Sequence, residues 1–438
     1  MDFKSYPNYK DSGVEWLGEV PADWQVIPSK FYFTERQEKA ELADKQLTAS
    51  QKFGIVFQED YMAENGRVMV VIKNPEILKK VRPKDFVISM RSFQGGLELS
   101  NLEGCISSAY VMLKPNLELV DTGYYKYLFK SPRYIQALQS TSTLIRDGQA
   151  LRFNNFSQVK LVLPPKEEQT KIVSFLDSET SRIDNLIAKQ EKLIEVLEEH
   201  RNTLTAHTIE KGINPDIKMI NSGVEWLGEV PENWKIGRLK NFAKVNPIIK
   251  KFSLDADELV EFIPMSNVDD KKGVIASIDY RKFGEVSTGY TAFNTSDVVF
   301  AKITPCMENG NCAIIPELKH GFGYGTTEFI VFRASKEIKT EFLYFLLRSK
   351  KLRDICTAFM TGTAGQQRIS SDFLANYPLA LPDLKEQQEI IDFLHEKNQK
   401  IDTLIAKQRE LITKLKNYRT SIISHAVTGK IDVRDLVA

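Results

Sequence analysis

Cysteine and histidine are scarce in this 438-residue chain, with four of the first and five of the second. Cys105, Cys306, Cys312 and Cys356 show no CxxC spacing, and ligands so few and scattered argue against a zinc site. Scattered thiols of this kind fit a reducing, cytoplasmic setting, each cysteine serving as a small hydrophobe. No apolar run reaches 18 residues, so a membrane-spanning helix is not expected, and the opening MDFKSYPNYK lacks the form of a signal peptide. Phosphate and methyl-donor motifs are missing too. No GxxxxGK[ST] loop occurs. Asn246-Pro247 is followed by Ile248, which breaks the NPPY or DPPY pattern of an adenine methyltransferase. Gly321, Gly323 and Gly325 form a GxGxG run, but TTEFIVF follows it as a strand, where a nucleotide loop would open a helix. That run is assigned to packing or a turn. Asp269-Asp270 beside Lys271-Lys272 reads as a solvated turn, so no catalytic residue and no metal ligand is assigned.

What the chain has is repetition. IDNLIAKQEKLIEVLEEHR (183–201) recurs as IDTLIAKQRELITKLKNYR (401–419), and the match runs without a gap from 161–176 against 379–394 to His207 against His425. Ile183, Leu186, Gln190, Leu193, Leu197 and Leu204 alternate spacings of three and four, as do Ile401, Leu404, Gln408, Leu411, Leu415, Tyr418 and Ile422. That spacing is a heptad seam, the mark of paired helices. Ile187, Ile194, Ile405 and Ile412 widen the stripe beyond a two-stranded seam and are expected to meet the attached domains or another subunit. A Gln at the same seam position in both copies suits register fixing. Pro164 and Pro165 open the first helix and Gly212 with Pro215 closes it. Pro382, Asp383 and Glu386 open the second and Gly429 closes it. About 46 residues at ~1.5 Å each give a rod of roughly 70 Å.

A second repeat fronts each half: SGVEWLGEVPADW (12–24) and SGVEWLGEVPENW (222–234). Trp16, Trp24, Trp226 and Trp234 are the only tryptophans, so they act either as staples to a neighbouring domain or as docking anchors for another subunit. Between front block and helix lie about 140 unlike residues per half that nonetheless share a plan. DFVISMR (85–91) and DVVFAKI (297–303) are strands introduced by Asp, and SSAYVMLKP (107–115) and TTEFIVFRA (326–334) are further strands. Helical spacing follows at 123–140 and 341–358, then Gly/Thr/Gln loops at 140–152 and 360–370. The net charge of +1 hides segregation. Residues 25–160 carry 19 basic against 14 acidic groups, or +5; residues 235–378 carry 20 against 16, or +4; residues 164–213 carry 7 against 10, or −3. Mildly basic variable blocks suit nucleic-acid contact.

The order of front block, variable domain, LPP-x-EEQ helix opening, IDNLIAKQ rod and repeat ending in TGKID resembles the specificity subunit of type I restriction–modification enzymes. DVVFAKITPCMENG (297–310) and TGTAGQQRIS (361–370) are also similar to such target-recognition domains. The resemblance implies an α/β (α+β) fold: two globular target-recognition domains separated by two long antiparallel coiled-coil helices with pseudo-two-fold symmetry. The blocks are 1–163, 164–213, 214–381 and 382–438. It implies a non-catalytic reader of double-stranded DNA with a bipartite target. Two methyltransferase subunits would dock on it and carry S-adenosylmethionine, and restriction/translocase subunits would join them. The chain itself would hold no cofactor. Where the second helix ends in TGKI the first reads EKGI, and IRDGQALRF in the first domain stands against TAGQQRIS in the second. Neither pair of ends therefore corresponds residue by residue.

Base reading needs Arg toward guanine and Asn or Gln toward adenine. Candidates are Arg91, Gln94, Arg146, Gln149 and Arg152 in the first domain. In the second they are Lys302, Thr304, Asn309, Asn311, Thr363, Gln366, Gln367 and Arg368. Partner docking is assigned to Trp16, Trp226, Ile187, Ile194, Ile405 and Ile412. A protein-binding scaffold and a self-sufficient modification enzyme are the competing classes. Steep salt dependence of DNA binding discriminates against the first, and absence of methyl transfer without a partner against the second.

Overall fold

The computed structural model describes residues 3–66, 77–141, 151–249, 254–363 and 365–436. Its contacts divide the chain into two units, residues 1–190 with 410–438, and residues 191–409. The division falls inside both long helices and not at the block boundaries 163/164, 213/214 and 381/382. Each unit takes a piece of each helix, because the helices pack on one another as well as on the globular blocks.

In the first unit the front block is a hairpin, Tyr9–Asp11 paired with Glu19–Pro21. Gln25–Pro28 then pairs with Lys160–Leu163, which brings the two ends of the recognition domain together at the start of the long helix. Between them lies a four-stranded antiparallel sheet in the order Phe33–Arg36, Val111–Pro115, Phe86–Ile88, Glu98–Leu99. Phe33 and Phe86 from this sheet meet Phe129 and Phe156 edge-on or tilted, all fully buried. The helical region is two helices, Thr122–Leu128 and Pro132–Ser140. Ser131 Oγ caps the second by accepting from Tyr134 N at 3.4 Å.

The second unit repeats the plan with different residues. Met219–Asn221 pairs with Glu229–Pro231, and Lys235–Arg238 pairs with Pro378–Leu381 to close the domain. The sheet order is Ala243–Val245, Phe329–Ala334, Val298–Ala301, Cys312–Ile314, the same succession as in the first unit. Thr340–Arg348 and Lys350–Ala358 are the two helices, the second capped by Ser349. A second sheet runs in the order Asp279–Lys282, Leu259–Ile263, Phe322–Gly325, Thr291–Asn294; in the first unit Leu47–Ser50 pairs with Gly54–Phe57 and Lys79–Val81 with Gly104–Ile106, and a parallel bridge, Gln46 to Cys105, joins the two pairs. The glycine run lies in the second unit's second sheet. A Cβ at Gly325 would sit 2.7 Å from the Ile263 carbonyl oxygen and one at Gly323 would sit 3.0 Å from that of Glu261. Those glycines admit a neighbouring backbone and serve packing.

The aspartates that introduce the matching strands have one job. Asp85 takes a bidentate contact from Arg36 (2.6 and 2.9 Å) and accepts from the backbone N of Arg82, three residues earlier. Asp297 takes Arg333 (2.7 and 2.7 Å) and accepts from Asn294 N, again three earlier. Both carboxylates are almost fully buried, where only a paired, hydrogen-bonded charge is tolerable.

The long helices span Lys166–Lys211 and Leu384–Val427. Prolines precede both, Asp383 Oδ1 caps the second by accepting from Glu386 N at 2.8 Å, and Gly212 and Gly429 follow at φ +77° and +70°. The pairing is antiparallel in each unit. Asp184 meets Arg419 at 2.9 Å in the first, and Arg201 meets Asp402 in the second.

The seam differs from the expected one. Ile183, Ile187, Ile401, Ile405, Ile412 and Ile422 are buried and Ile194 half-buried, whereas Leu193, Leu404, Leu411 and Tyr418 are exposed. Buried or half-buried positions step by four and three through Ile183, Ile187, Gln190 and Ile194, and through Ile401, Ile405, Gln408 and Ile412. Ile187, Ile405 and Ile412 are therefore covered within the chain itself and are not open surface for docking, whereas Ile194 is half-buried. Both isoleucine and leucine rows satisfy heptad spacing. The helices rotate to the β-branched row, which suits close two-helix packing.

Candidate nucleic-acid interface

Among the described residues, several of the base-reading candidates lie just beyond the strand that Asp85 or Asp297 introduces. In the first domain the chain leaves Phe86–Ile88 and turns into a single helical turn, Ser92–Gly95. Arg91 and Gln94 are exposed there. The turn is fixed from both sides: Gln51 Nε2 donates to the Arg91 carbonyl at 3.3 Å, and Gln139 Nε2 donates to that of Phe93. Exposed Arg152 precedes the helix Phe153–Gln158, whose Asn155 donates to the Thr141 carbonyl at 3.3 Å. Arg91, Gln94 and Arg152 thus flank the C-terminal end of Pro132–Ser140. Arg146 and Gln149 lie outside the described residues.

Sequence reasoning passed over two neighbours. Lys52 and Phe53 occupy the turn that carries Gln51. Phe53 is 44% exposed, with the Lys52 ammonium 5.0 Å from its ring centre. The missed signal is a lysine–aromatic pair in a short turn between strands.

In the second domain the corresponding corner follows Val298–Ala301. Within segment 360–370, expected as a loop, Thr361–Thr363 pairs antiparallel with Gln366–Arg368; Gly362 inside the first strand and Gly365 just before the second have positive φ (+134° and +81°), which glycine tolerates. Its second strand is laced to the strand end. Ile303 bridges Arg368, Thr304 N donates to the Gln367 carbonyl at 3.0 Å, and Gln367 N donates to Thr304 Oγ1 at 3.0 Å. Ile369 N donates to the Lys302 carbonyl at 2.9 Å. Lys302, Thr304 and the hairpin are therefore one cluster.

Three of the candidates there have structural work. Arg368 closes both arms of its guanidinium on Glu328 (3.0 and 2.8 Å), which holds that carboxyl below the usual range and raises the guanidinium's own pKa. Its fork is filled and cannot present itself to guanine. Asn311 is buried, its side-chain amide donating to the Val268 carbonyl at 2.8 Å, so it is a strut and no reader. Thr304 uses its hydroxyl to accept from the hairpin. Asn309, Thr363 and Gln366 are exposed, and Lys302 and Gln367 half-buried. Glu328 was missed because it lies 40 residues from its partner and on the strand side of a turn.

The front blocks are tied to the helices by matching bonds. Lys430 donates to the Glu19 carbonyl and Lys211 to that of Glu229, the same position of the two repeats. One lysine follows its glycine and the other precedes it, so EKGI and TGKI reach one geometry. Trp16 packs edge-on against Tyr134 of its own domain, 6.0 Å between ring centres, which accounts for it without a partner. Trp226 is 42% exposed.

The glutamine of the helix opening, part of the sequence signature, has a structural role that the sequence did not reveal. Gln169 Oε1 accepts from Asp121 N (2.7 Å) while its Nε2 donates to the carbonyls of Leu119 and Pro164 (both 2.9 Å). Gln387 accepts from Lys339 N (2.8 Å) and donates to the carbonyls of Glu337 (2.8 Å) and Pro382 (2.9 Å). Asp121 and Lys339 are the N-cap residues of the equivalent helices, so each glutamine clamps a recognition domain to its rod.

The model of the type I restriction modification DNA specificity domain matches residues 79–199 and 231–414, and the chain belongs to that family. The MjaVIII type I restriction enzyme specificity subunit of Methanocaldococcus jannaschii is 24% identical over all of this chain and 99% of its own length. The EcoEI specificity subunit of Escherichia coli is 36% identical over 164 residues, 37% of this chain; the match spans only 27% of that relative's length, and 28% for the EcoAI subunit. Two solved structures share the fold. A chain from a study of type I R-M complex assembly and conformational transition superposes with TM-score 0.67 at 14% identity, covering 93% of this chain and 98% of its own. The HsdS subunit from Thermoanaerobacter tengcongensis gives 0.56 at 16%, covering 94% and 98%.

Proposed function

We propose that this chain is the DNA-reading subunit of a type I restriction–modification complex, each recognition domain taking one half of a bipartite duplex target. One observation carries the reading: two domains of unlike sequence are built on the same sheet order and clamped to the rods by the same glutamine. Such a frame keeps a reader's position constant while its surface varies. The exposed polar groups at each strand-end corner supply planar donors and acceptors for base edges, with lysines and hydroxyls for phosphates.

The long helices act as the spacer between half-sites, and exposed side chains of the second unit, Leu193, Leu404 and Trp226, offer apolar contacts for docking methyltransferase subunits, two of which join the complex. Those partners carry S-adenosylmethionine and perform the chemistry; restriction/translocase subunits complete the complex in the cytoplasm. Among the described residues no helix is long and apolar enough to cross a membrane.

The test is selection from a pool of random duplexes by the full chain. Enrichment of two short sequences at a fixed gap is expected, with affinity falling steeply as salt rises. Binding that is independent of sequence and salt refutes the proposal. Incubation of the chain alone with S-adenosylmethionine and DNA is expected to transfer no methyl group, and any transfer overturns the non-catalytic assignment.

A further inference from the structure

We infer that the hairpin Thr361–Arg368 is the base-reading ribbon of the second domain, with Gln366 as its specificity-determining residue and Thr304 and the Glu328–Arg368 pair as positioning residues. This rests on the DNA reading above and names the element that performs it.

Size comes first. The major groove, ~12 Å wide and ~8.5 Å deep, admits a two-stranded ribbon. Each strand of this hairpin has three residues, about 10 Å at ~3.3 Å per residue, enough to reach the groove floor. Thr361, Gly362, Thr363, Gly365 and Gln366 are all exposed. Small residues along the first strand leave the ribbon slim. Polar strands standing free of a core are marginal alone, so this one needs an external tie.

The tie is present and lies at one end only. Arg368, Gln367 and Ile369 are held by Glu328, Thr304 and Lys302 respectively. The cross-strand register pairs Thr361 with Arg368 and Thr363 with Gln366. Side chains two apart share a face, so Gln366 and Thr363 extend the face anchored at Arg368 beyond the anchor. The arginine that would otherwise be the first choice for guanine is occupied by a carboxylate. The long planar amide next along that face is Gln366, whose carbonyl and amino groups match adenine N6 and N7 in a bidentate contact.

The experiment uses the full chain and the random duplex pool. With wild-type chain enriching two sequence blocks, Gln366→Ala is expected to lose preference at one position of one block, discrimination there falling about tenfold, while the other block is unchanged. Gln366→Glu is expected to move that position from adenine toward cytosine, whose N4 amino group a carboxylate accepts from. Thr304→Val is expected to weaken binding to every sequence alike and to leave the pattern of preferred bases intact, as a positioning role requires. If Gln366→Ala keeps every preference in both blocks, or only weakens binding uniformly, the hairpin assignment is wrong although the DNA reading stands. If the wild-type chain enriches nothing, the DNA reading itself fails and takes this inference with it.

Discussion

Replacing Gln387 with alanine removes three hydrogen bonds at once from a fully buried site. Each is worth about 1 kcal/mol net, and the Lys339 N–H and the Glu337 and Pro382 carbonyls lose their side-chain partner. The expected loss is therefore about 3 kcal/mol, against less than ~0.5 kcal/mol for an ordinary surface substitution. For a unit of roughly 200 residues that corresponds to a fall of about 6–12 °C in the melting temperature. Gln387→Glu separates the hydrogen bonds from volume. Its carboxylate still accepts from Lys339 N but faces the Glu337 and Pro382 carbonyls with nothing to donate. Its pKa in the folded state is then raised, so the deficit is largest near neutral pH and shrinks as pH falls through that value. Thermal unfolding by circular dichroism gives the magnitude, and hydrogen exchange of the Lys339 amide gives the location. A loss under ~1 kcal/mol, or unaltered protection of Lys339, refutes the clamp.

The corrected seam predicts that Ile405→Ala costs about 2–3 kcal/mol and Leu404→Ala under ~0.5 kcal/mol in urea unfolding; equal costs would restore the leucine seam. The hairpin tether depends on the Glu328 carboxylate, whose folded-state pKa is depressed by Arg368. Its contribution is present above the unfolded value and lost as pH falls through the folded one, below the ordinary carboxylate range. Hydrogen exchange of the Gln367 and Ile369 amides, corrected for intrinsic pH dependence, is expected to lose protection as pH drops, whereas in Glu328→Gln they are weakly protected throughout; identical profiles would show that the pair holds nothing. Thiols report packing: burial pushes Cys312 and Cys356 up to about 12, and Cys306 is the one cysteine that is not buried. A thiol-specific dye at pH 8 is expected to label Cys306 first and Cys312 and Cys356 only on unfolding; rapid labelling of Cys356 in the native chain would contradict the core.

Much of the frame was legible because covalent rules act locally. Proline before and glycine after each rod mark helix ends by excluding other backbone conformations, and Lys166–Lys211 and Leu384–Val427 end where those residues stand. Rotation about the helix axis was not legible. Isoleucine and leucine rows have the same spacing, and only the packing across the helix pair ranks them. That 91–94 and 302–304 follow the ends of buried strands was legible, since polar residues after an apolar run are a local pattern. Which of those residues are free was not, because Arg368–Glu328 and Asn311–Val268 join positions about 40 residues apart and nothing local marks the partner.

Duplication does not copy every bond, and the difference has a traceable cause. In the first unit Glu168 Oε1 accepts from Trp24 Nε1 at 3.1 Å and from Tyr6 OH at 2.6 Å, and the Arg434 guanidinium lies 4.9 Å from the Tyr6 ring centre. In the second unit Glu386 instead accepts from Asn233 at 3.3 Å, and buried Trp234 Nε1 has no partner. At the position of Tyr6 the second repeat has Asp216, which lacks the phenol hydroxyl that Tyr6 donates to Glu168. The first front block has to hold the chain's own C-terminal segment, which reaches it through Arg434 and through Asp432 N donating to the Lys4 carbonyl at 2.8 Å. The second front block follows its helix directly along the backbone, from Lys211 through Gly212 to the strand at Met219. A covalent link there does what three side chains do in the first unit. The Trp24–Glu168–Tyr6 cluster therefore closes a non-covalent joint, which the second front block replaces with a peptide link.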